Sequence, residues 1–393
     1  MASGNYIKYA RRAKYEPQSF YLASGSASDI YDELRRLGTR RVLFICNKTT
    51  SKYKNYKVLK SSFDAMSIKT FSYVRNDGIL RSSDIISGLQ VYKEFNCDTI
   101  IAVGGSAEID CGKLISAMFT NGLSSPTELS GLDRIKSDIS VLCCIVTDNS
   151  CAATTSFAEY YDETLSKWSV AMSAYLIPQV VVVDTDIAMR TDKNIALDCA
   201  LTAFGVAMES YLSPVASSYP EYRANAIDSL RSLTKYIDLM MESPEESYYR
   251  RRVAVGALCS GVSSRITGYG ISHLVSHAIM SKVGSLRSCV YLYILNYMLS
   301  DSDEEGLQRA AQLAKELGIA SNQADDKAAT EELMRTISEY FRYYSAEDMK
   351  VNITNKEASA IISEVVKEIE VFGIESRIKD TLERMFAEMT SNY

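Results

Sequence analysis

The chain has 393 residues, 47% of them hydrophobic, and a formal net charge of −6. That length accommodates two domains at about 100–200 residues each, and the composition supplies a core for a globular protein of enzyme size. The acidic balance, unrelieved by any long Lys/Arg block, argues against nucleic acid as a partner.

Met1 to Glu16 is polar and basic without an apolar segment, so it is not expected to act as a secretory signal. The longest apolar runs, "VLFIC", "IIAV" and "VVVV", are too short to span a bilayer, and a soluble, cytoplasmic chain with no membrane partner is expected. Nine cysteines, at 46, 97, 111, 143, 144, 151, 199, 259 and 289, form no CxxC pair. They read as reduced, small apolar core residues.

The first helical period is "SASDIYDELRRLG", with a capping-box-like start at Ser26 and Asp29, then Ile30, Leu34 and Leu37 on one face and a stop at Gly38. Five short, β-branched apolar runs follow: "RVLFIC" (41–46), "IKTFSYV" (68–74), "DTIIAV" (98–103), "SVLCCIV" (140–146) and "QVVVVD" (179–184). Such runs suit strands buried on both faces. "SSDIISGLQVYKEFN" and "IDCGKLISAMF" are helical periods between them, so strand and helix alternate as in a parallel α/β sheet.

Beyond about residue 186 the strand signal ends. Helical stretches cover 194–213, 219–242, 245–267, 271–281, 288–299, 303–317, 324–344 and 354–391, with Pro214, Pro220 and Pro244 near their ends. The expected fold class is therefore α/β: an N-terminal parallel-sheet domain over 1–185, then an all-α domain over 186–393.

In "TIIAVGGSAEIDCGKLISAMF", Gly104 and Gly105 stand directly between a buried strand and a helix. Backbone amides at such a helix start can face a phosphate, and glycines admit its close approach. A plain tight turn is the other reading, and the spacing is not GxGxxG.

This stretch resembles the GGGSxxDxAK signature of the iron-containing (group III) alcohol dehydrogenases, relatives of glycerol dehydrogenase and dehydroquinate synthase. "VLFICNKTTSK", "CIVTDNSCAATTS", "LSKWSVAMSAYLIPQVVVVDTDIAM", "ALDCALTAFGVAMESYLSP" and "GYGISHLVSHAIMSKVGSLRS" are similar to other family segments in the family's order, so the likeness covers roughly residues 18–300. It implies a dehydroquinate synthase-like fold, with a dinucleotide-binding domain followed by a helical substrate domain. Gly104, Gly105 and Ser106 would cradle the pyrophosphate of NADPH or NADH, and Asp110 and Lys113 would support the turn. Thr147 would lie beside the nicotinamide or its ribose. Ser106 stands where the family has its third glycine, and Ala107 where it has serine. Asn47 stands where the family often has an aspartate that holds the adenosine ribose. A neutral side chain there permits a 2′-phosphate, while a turn residue after a strand is the alternative reading.

The family holds a divalent ion with Asp and His four apart on one helix and with two His fourteen apart further on. Here the first pair falls on Thr202 and Val206 and the second on His273 and Arg287, with His277 at the family's additional active-site histidine. His273 and His277 are the chain's only histidines and share one helical face. Val206 has no ligand atom and Arg287 would repel a cation, so no catalytic metal is expected in the family position; a site made by His273 and His277 with a nearby carboxylate is the alternative.

The resemblance thus implies a metal-independent NAD(P)-dependent oxidoreductase that interconverts a small alcohol and an aldehyde or ketone, working as a homodimer on a small-molecule substrate. His273 would polarise the substrate oxygen and His277 would relay a proton. Arg287 would anchor a phosphate, phosphonate or carboxylate group, with Thr202 and Val206 beside the substrate. Plainer readings stand beside these. The histidines are satisfied core residues, Arg287 pairs with Asp301 or Glu209, and Cys151 is an ordinary thiol. The alternative function is a catalytically inactive or regulatory homologue of the same family. A lyase or cyclase of the dehydroquinate synthase branch ranks last, because that branch also needs metal-binding Glu and His residues.

Overall fold

The computed structural model describes residues 18–22, 25, 30–188, 191–268, 270–283, 287–345, 353–371 and 377–391. They divide into an α/β unit, which runs through Ala200 and takes in Ser232–Gly261, and a helical unit made of Leu201–Arg231 and the residues from Val262 onward. The α/β unit is thus larger than the expected 1–185, because later helical segments pack on the sheet. Ala254 and Leu258, for example, belong to its core. The Ser26 and Asp29 capping pair lies outside the described residues.

The α/β unit alternates β1 (Ser19–Leu22), α1 (Tyr31–Arg36), β2 (Arg41–Asn47), α2 (Lys54–Ala65), β3 (Lys69–Arg75), α3 (Ser82–Glu94), β4 (Thr99–Gly104) and α4 (Ser106–Thr120). Short β5 (Gly131–Leu132), β6 (Val141–Val146), β7 (Phe157–Asp162), β8 (Lys167–Met172), β9 (Val180–Val183) and α5 (Thr185–Ala188) complete it. Its six-stranded sheet has the order β1-β9-β6-β4-β2-β3, every pairing parallel. A three-stranded sheet, β5-β8-β7, holds the β7–β8 hairpin. β1 was not among the expected strands; with alternating half-exposed residues on a sheet edge it carries no buried apolar run.

Strand alternation builds two cores, one per face. Leu43, Ile45, Ile100, Ala102, Leu142 and Cys144 point to the side covered by α3 and α4. Val42, Phe44, Ile101, Val103, Cys143 and Ile145 point to the side covered by α1 and α2. Each fully buried Val, Ile or Leu is worth about 1.5–3 kcal/mol, so this double cover fixes the strand ends firmly.

The chain continues through α6 (Lys193–Leu212), α7 (Pro220–Glu242), α8 (Ser247–Thr267), α9 (Ile271–Val283), α10 (Arg287–Ser300), α11 (Glu304–Glu316) and α12 (Asp326–Ser345). The stretch expected as one helix over 354–391 is two, α13 (Asn355–Val371) and α14 (Arg377–Ser391), with 372–376 outside the described residues. No strand follows Val183 among the described residues. Among the described residues α6 is the one helix long and apolar enough to cross a membrane by length and composition. Most of its 20 residues are buried inside the protein, as in a core helix.

Candidate functional site

The glycine turn sits where the sequence places it. β4, flanked by β6 and β2, ends at Gly104, and α4 begins at Ser106 with Gly105 as its N-cap. The amide of Thr147 donates to the Gly104 carbonyl at 3.1 Å, which ties the end of β6 to the turn.

Two carboxylates face these glycines. Glu108, at the third position of α4, accepts the Gly105 amide on Oε2 at 3.1 Å, the reach-back of a helix-capping glutamate. It also forms a buried ion pair with Arg75, whose Nη2 donates to the carbonyls of Gly78 at 2.8 Å and Ile79 at 2.7 Å. A Cβ added to Gly104 would lie 2.3 Å from Glu108 Oε2, and one added to Gly105 would lie 1.7 Å from Asp148 Oδ2. Asp148 accepts the Ser150 amide at 3.1 Å and the Cys199 thiol at 3.5 Å. Burial, and then the charge of Glu108, push Asp148 up to about 6. Burial also raises Glu108, with Arg75 opposing it. As folded, the turn does not fit a pyrophosphate: one cradle amide already serves a carboxylate, and a second carboxylate packs on Gly105.

Asp110 and Lys113 lie behind the turn as braces. Lys113 is fully buried, and its Nζ donates to the Phe157 carbonyl at 2.7 Å, Thr155 Oγ1 at 2.9 Å and the Thr155 carbonyl at 3.2 Å. Asp110 stands 3.5 Å from Lys113 Nζ and accepts the Glu159 amide at 3.1 Å. Burial lowers the Lys113 pKa and the Asp110 charge opposes that. Ser106 opens α4, partly exposed. Asn47 takes the turn role, its Oδ1 accepting the Thr50 amide at 2.8 Å. Glu108 and Asp148 were missed although sequence signals existed: Glu108 lies three residues past the glycine cap, and Asp148 follows Thr147 in a segment already singled out. Arg75, at the end of β3, carried no such signal.

In the helical unit, His273 and His277 are buried on α9 with ring centroids 5.2 Å apart. His273 stacks on Tyr291 of α10, 4.7 Å between centroids at 17°. The Tyr291 hydroxyl donates to Glu209 Oε2 at 2.6 Å, and the Ser272 amide donates to Oε1 at 2.8 Å. Glu209 therefore anchors both the start of α9 and the tyrosine under the histidine. Burial raises its pKa. Two glycines make room for this cluster. A Cβ on Gly205 would lie 2.6 Å from the Tyr291 ring, and one on Gly270 1.8 Å from Glu209.

Thr202 and Val206 are buried on α6. Val206 supplies no donor atom, so these positions do not fit the family's four-ligand ion. Arg287 opens α10, and its side chain lies outside the described residues. Of the acids considered as its partners, Asp301 accepts Arg384 at 2.7 Å on both oxygens, and Glu209 is held as described above.

Residues 17–185 match the family model described as iron-containing alcohol dehydrogenase. The chain is 21% identical to the NAD-dependent methanol dehydrogenase of Bacillus methanolicus, covering 67% of this chain and 68% of that protein. It is 20% identical to the NADPH-dependent butanol dehydrogenase of Clostridium saccharobutylicum, covering 78% of each. Among solved structures, an archaeal alcohol dehydrogenase from a Red Sea brine pool matches with a TM-score of 0.85 at 15% identity, covering 98% of this chain and all of that one. The sequence match thus covers the sheet-bearing part of the chain, and the fold is shared along its length.

Proposed function

We propose that the chain is a metal-independent, NAD(P)-dependent oxidoreductase that interconverts a small alcohol and its aldehyde or ketone. The observation that carries this is the match of residues 17–185 to the iron-containing alcohol dehydrogenase model. The two relatives named above are NAD- and NADPH-dependent enzymes, which supports either nucleotide. Loss of donor atoms at Val206 and of a strong ligand at Thr202 supports metal independence. His273 polarises the substrate oxygen, His277 moves the proton, and Arg287 anchors an anionic group, while Thr202 and Val206 shape the floor beside them. Eight cysteines outside any disulfide among the described residues support a reducing, cytoplasmic setting, and a homodimer accords with the family.

A second reading, a catalytically inactive or regulatory homologue, is favoured by one observation: Glu108 and Asp148 fill the glycine cradle. A fluorescence titration of the chelator-treated protein with NADH and NADPH, followed by turnover assays on short aldehydes with and without anionic groups, separates the two. Saturable binding with metal-free turnover supports the oxidoreductase. Binding without turnover, or no binding, supports the homologue without activity.

A further inference from the structure

We propose that Glu108 is an internal stand-in for phosphate: its carboxylate holds the Gly105 amide and the Arg75 guanidinium, and a dinucleotide binds only by displacing it from both. The inference rests on the reading of the Gly104–Ser106 turn as a nucleotide cradle.

The geometry sets Glu108 apart from an ordinary capping glutamate. A cap at the third helical position needs only the N-cap amide and is commonly solvated. Here the residue is 3% exposed, its Oε2 accepts Gly105 N–H at 3.1 Å, and the same carboxylate is ion-paired with a buried arginine from β3. Its side chain folds back over the glycines, 2.3 Å from where a Gly104 Cβ would stand, which is the space that glycine leaves for a phosphate oxygen. Arg75 keeps spare donor capacity at this place. Its side chain is 1% exposed, and its buried Nε has no hydrogen-bond partner among the described residues. A guanidinium with an uncommitted N–H, beside an amide at a helix start, is what a phosphate recognises. Asp148, packed on Gly105 from the other side, adds a second acid to the same spot and makes a resident phosphate harder to hold while Glu108 stays.

Displacement has a definite exchange. The Gly105 amide and Arg75 pass from the carboxylate to a phosphate oxygen, and Glu108 turns out toward water. Nucleotide affinity in the wild-type protein is therefore the difference between two anions competing for one set of donors, and removing the resident anion strengthens the other.

The test is a titration of the full-length wild type, Glu108→Ala and Glu108→Gln with NADH, NADPH and ADP, read by fluorescence and calorimetry, with circular dichroism to confirm folding. Glu108→Ala is expected to bind all three about tenfold tighter or better, since juxtaposed like charges cost several kcal/mol. Glu108→Gln keeps an acceptor for Gly105 without the charge, guards against a misfolded alanine variant, and should gain less. Adding Arg75→Met to Glu108→Ala should abolish the gain. If wild type binds and neither variant binds tighter, the stand-in is wrong and the nucleotide reading survives. If only the variants bind, the stand-in holds and the wild-type protein is not a working NAD(P) enzyme. If none binds, both ideas fall.

Discussion

The Tyr291 hydroxyl lies 2.6 Å from Glu209 Oε2, a part-buried bond that joins α10 to α6 while the tyrosine ring lies flat against His273. Tyr291→Phe keeps the ring and the stack but removes a donor from the Glu209 carboxylate. We expect a loss of about 1–3 kcal/mol in urea unfolding. The bond to Tyr291 opposes the upward push of burial on Glu209, so its loss raises the folded-state pKa further. A carboxylate raised in the folded state loses its stabilising contribution as pH rises through that pKa, so the deficit should grow as pH rises. A deficit that does not change with pH would refute this coupling.

Asp148 gives a second pH signature. Its carboxyl is pushed from an ordinary value of 3.8 up to about 6 by burial and then by Glu108. The folded state therefore holds a proton that the unfolded state gives up, and the contribution present below pH 4 is lost as pH rises toward 6. The two values correspond to about 3 kcal/mol by pH 7. Asp148→Asn, which can still accept the Ser150 amide, should flatten this part of the stability profile and be the more stable protein at pH 7. Urea midpoints across pH 4 to 8 measure it, and parallel profiles for the two proteins would refute it.

Lys113 tests a brace against a cofactor contact. Its ammonium is wholly buried and serves three acceptors at the start of β7, with Asp110 alongside. Lys113→Met leaves that carboxylate buried without its partner, an imbalance that costs about 3–5 kcal/mol. Thermal unfolding should fall sharply. A variant that melts like wild type yet binds nucleotide more weakly would place Lys113 in direct contact with the cofactor instead.

The parallel sheet was legible because β-branched runs such as "VVVV" are buried on both faces and so leave an unbroken apolar signature. β1 was not legible: it is an edge strand with burial alternating between half-exposed and exposed. The turn at Gly104 and Gly105 was legible in place but not in content. Strand and helix flank it in the chain, whereas Asp148, which packs on Gly105, follows β6, and the Arg75 that holds Glu108 comes from β3. Arg75 closes β3, thirty-three positions before Glu108, and only the β2–β3 and β2–β4 register brings it there. The histidine pair was likewise visible by spacing, but the tyrosine and glutamate that hold it were not, since the Glu209–Tyr291 contact joins positions 82 residues apart.

Metal independence makes the last prediction. Thr202 and Val206 stand four apart on α6, the spacing of two ligands on one helical face, and Val206 offers only methyl groups. Chelation of the wild-type protein should leave its melting temperature and turnover unchanged, and elemental analysis should find iron and zinc well below one ion per chain. Thr202→Asp with Val206→His and Arg287→His would complete the donor set around His273. That triple variant should melt higher as Zn²⁺ is added, by about 2.7 kcal/mol of stabilisation at a hundredfold excess over its dissociation constant. Stoichiometric metal or chelator-sensitive turnover in the wild type would overturn metal independence. A triple variant blind to zinc would overturn the alignment of Thr202, Val206 and Arg287 with the family's ligands.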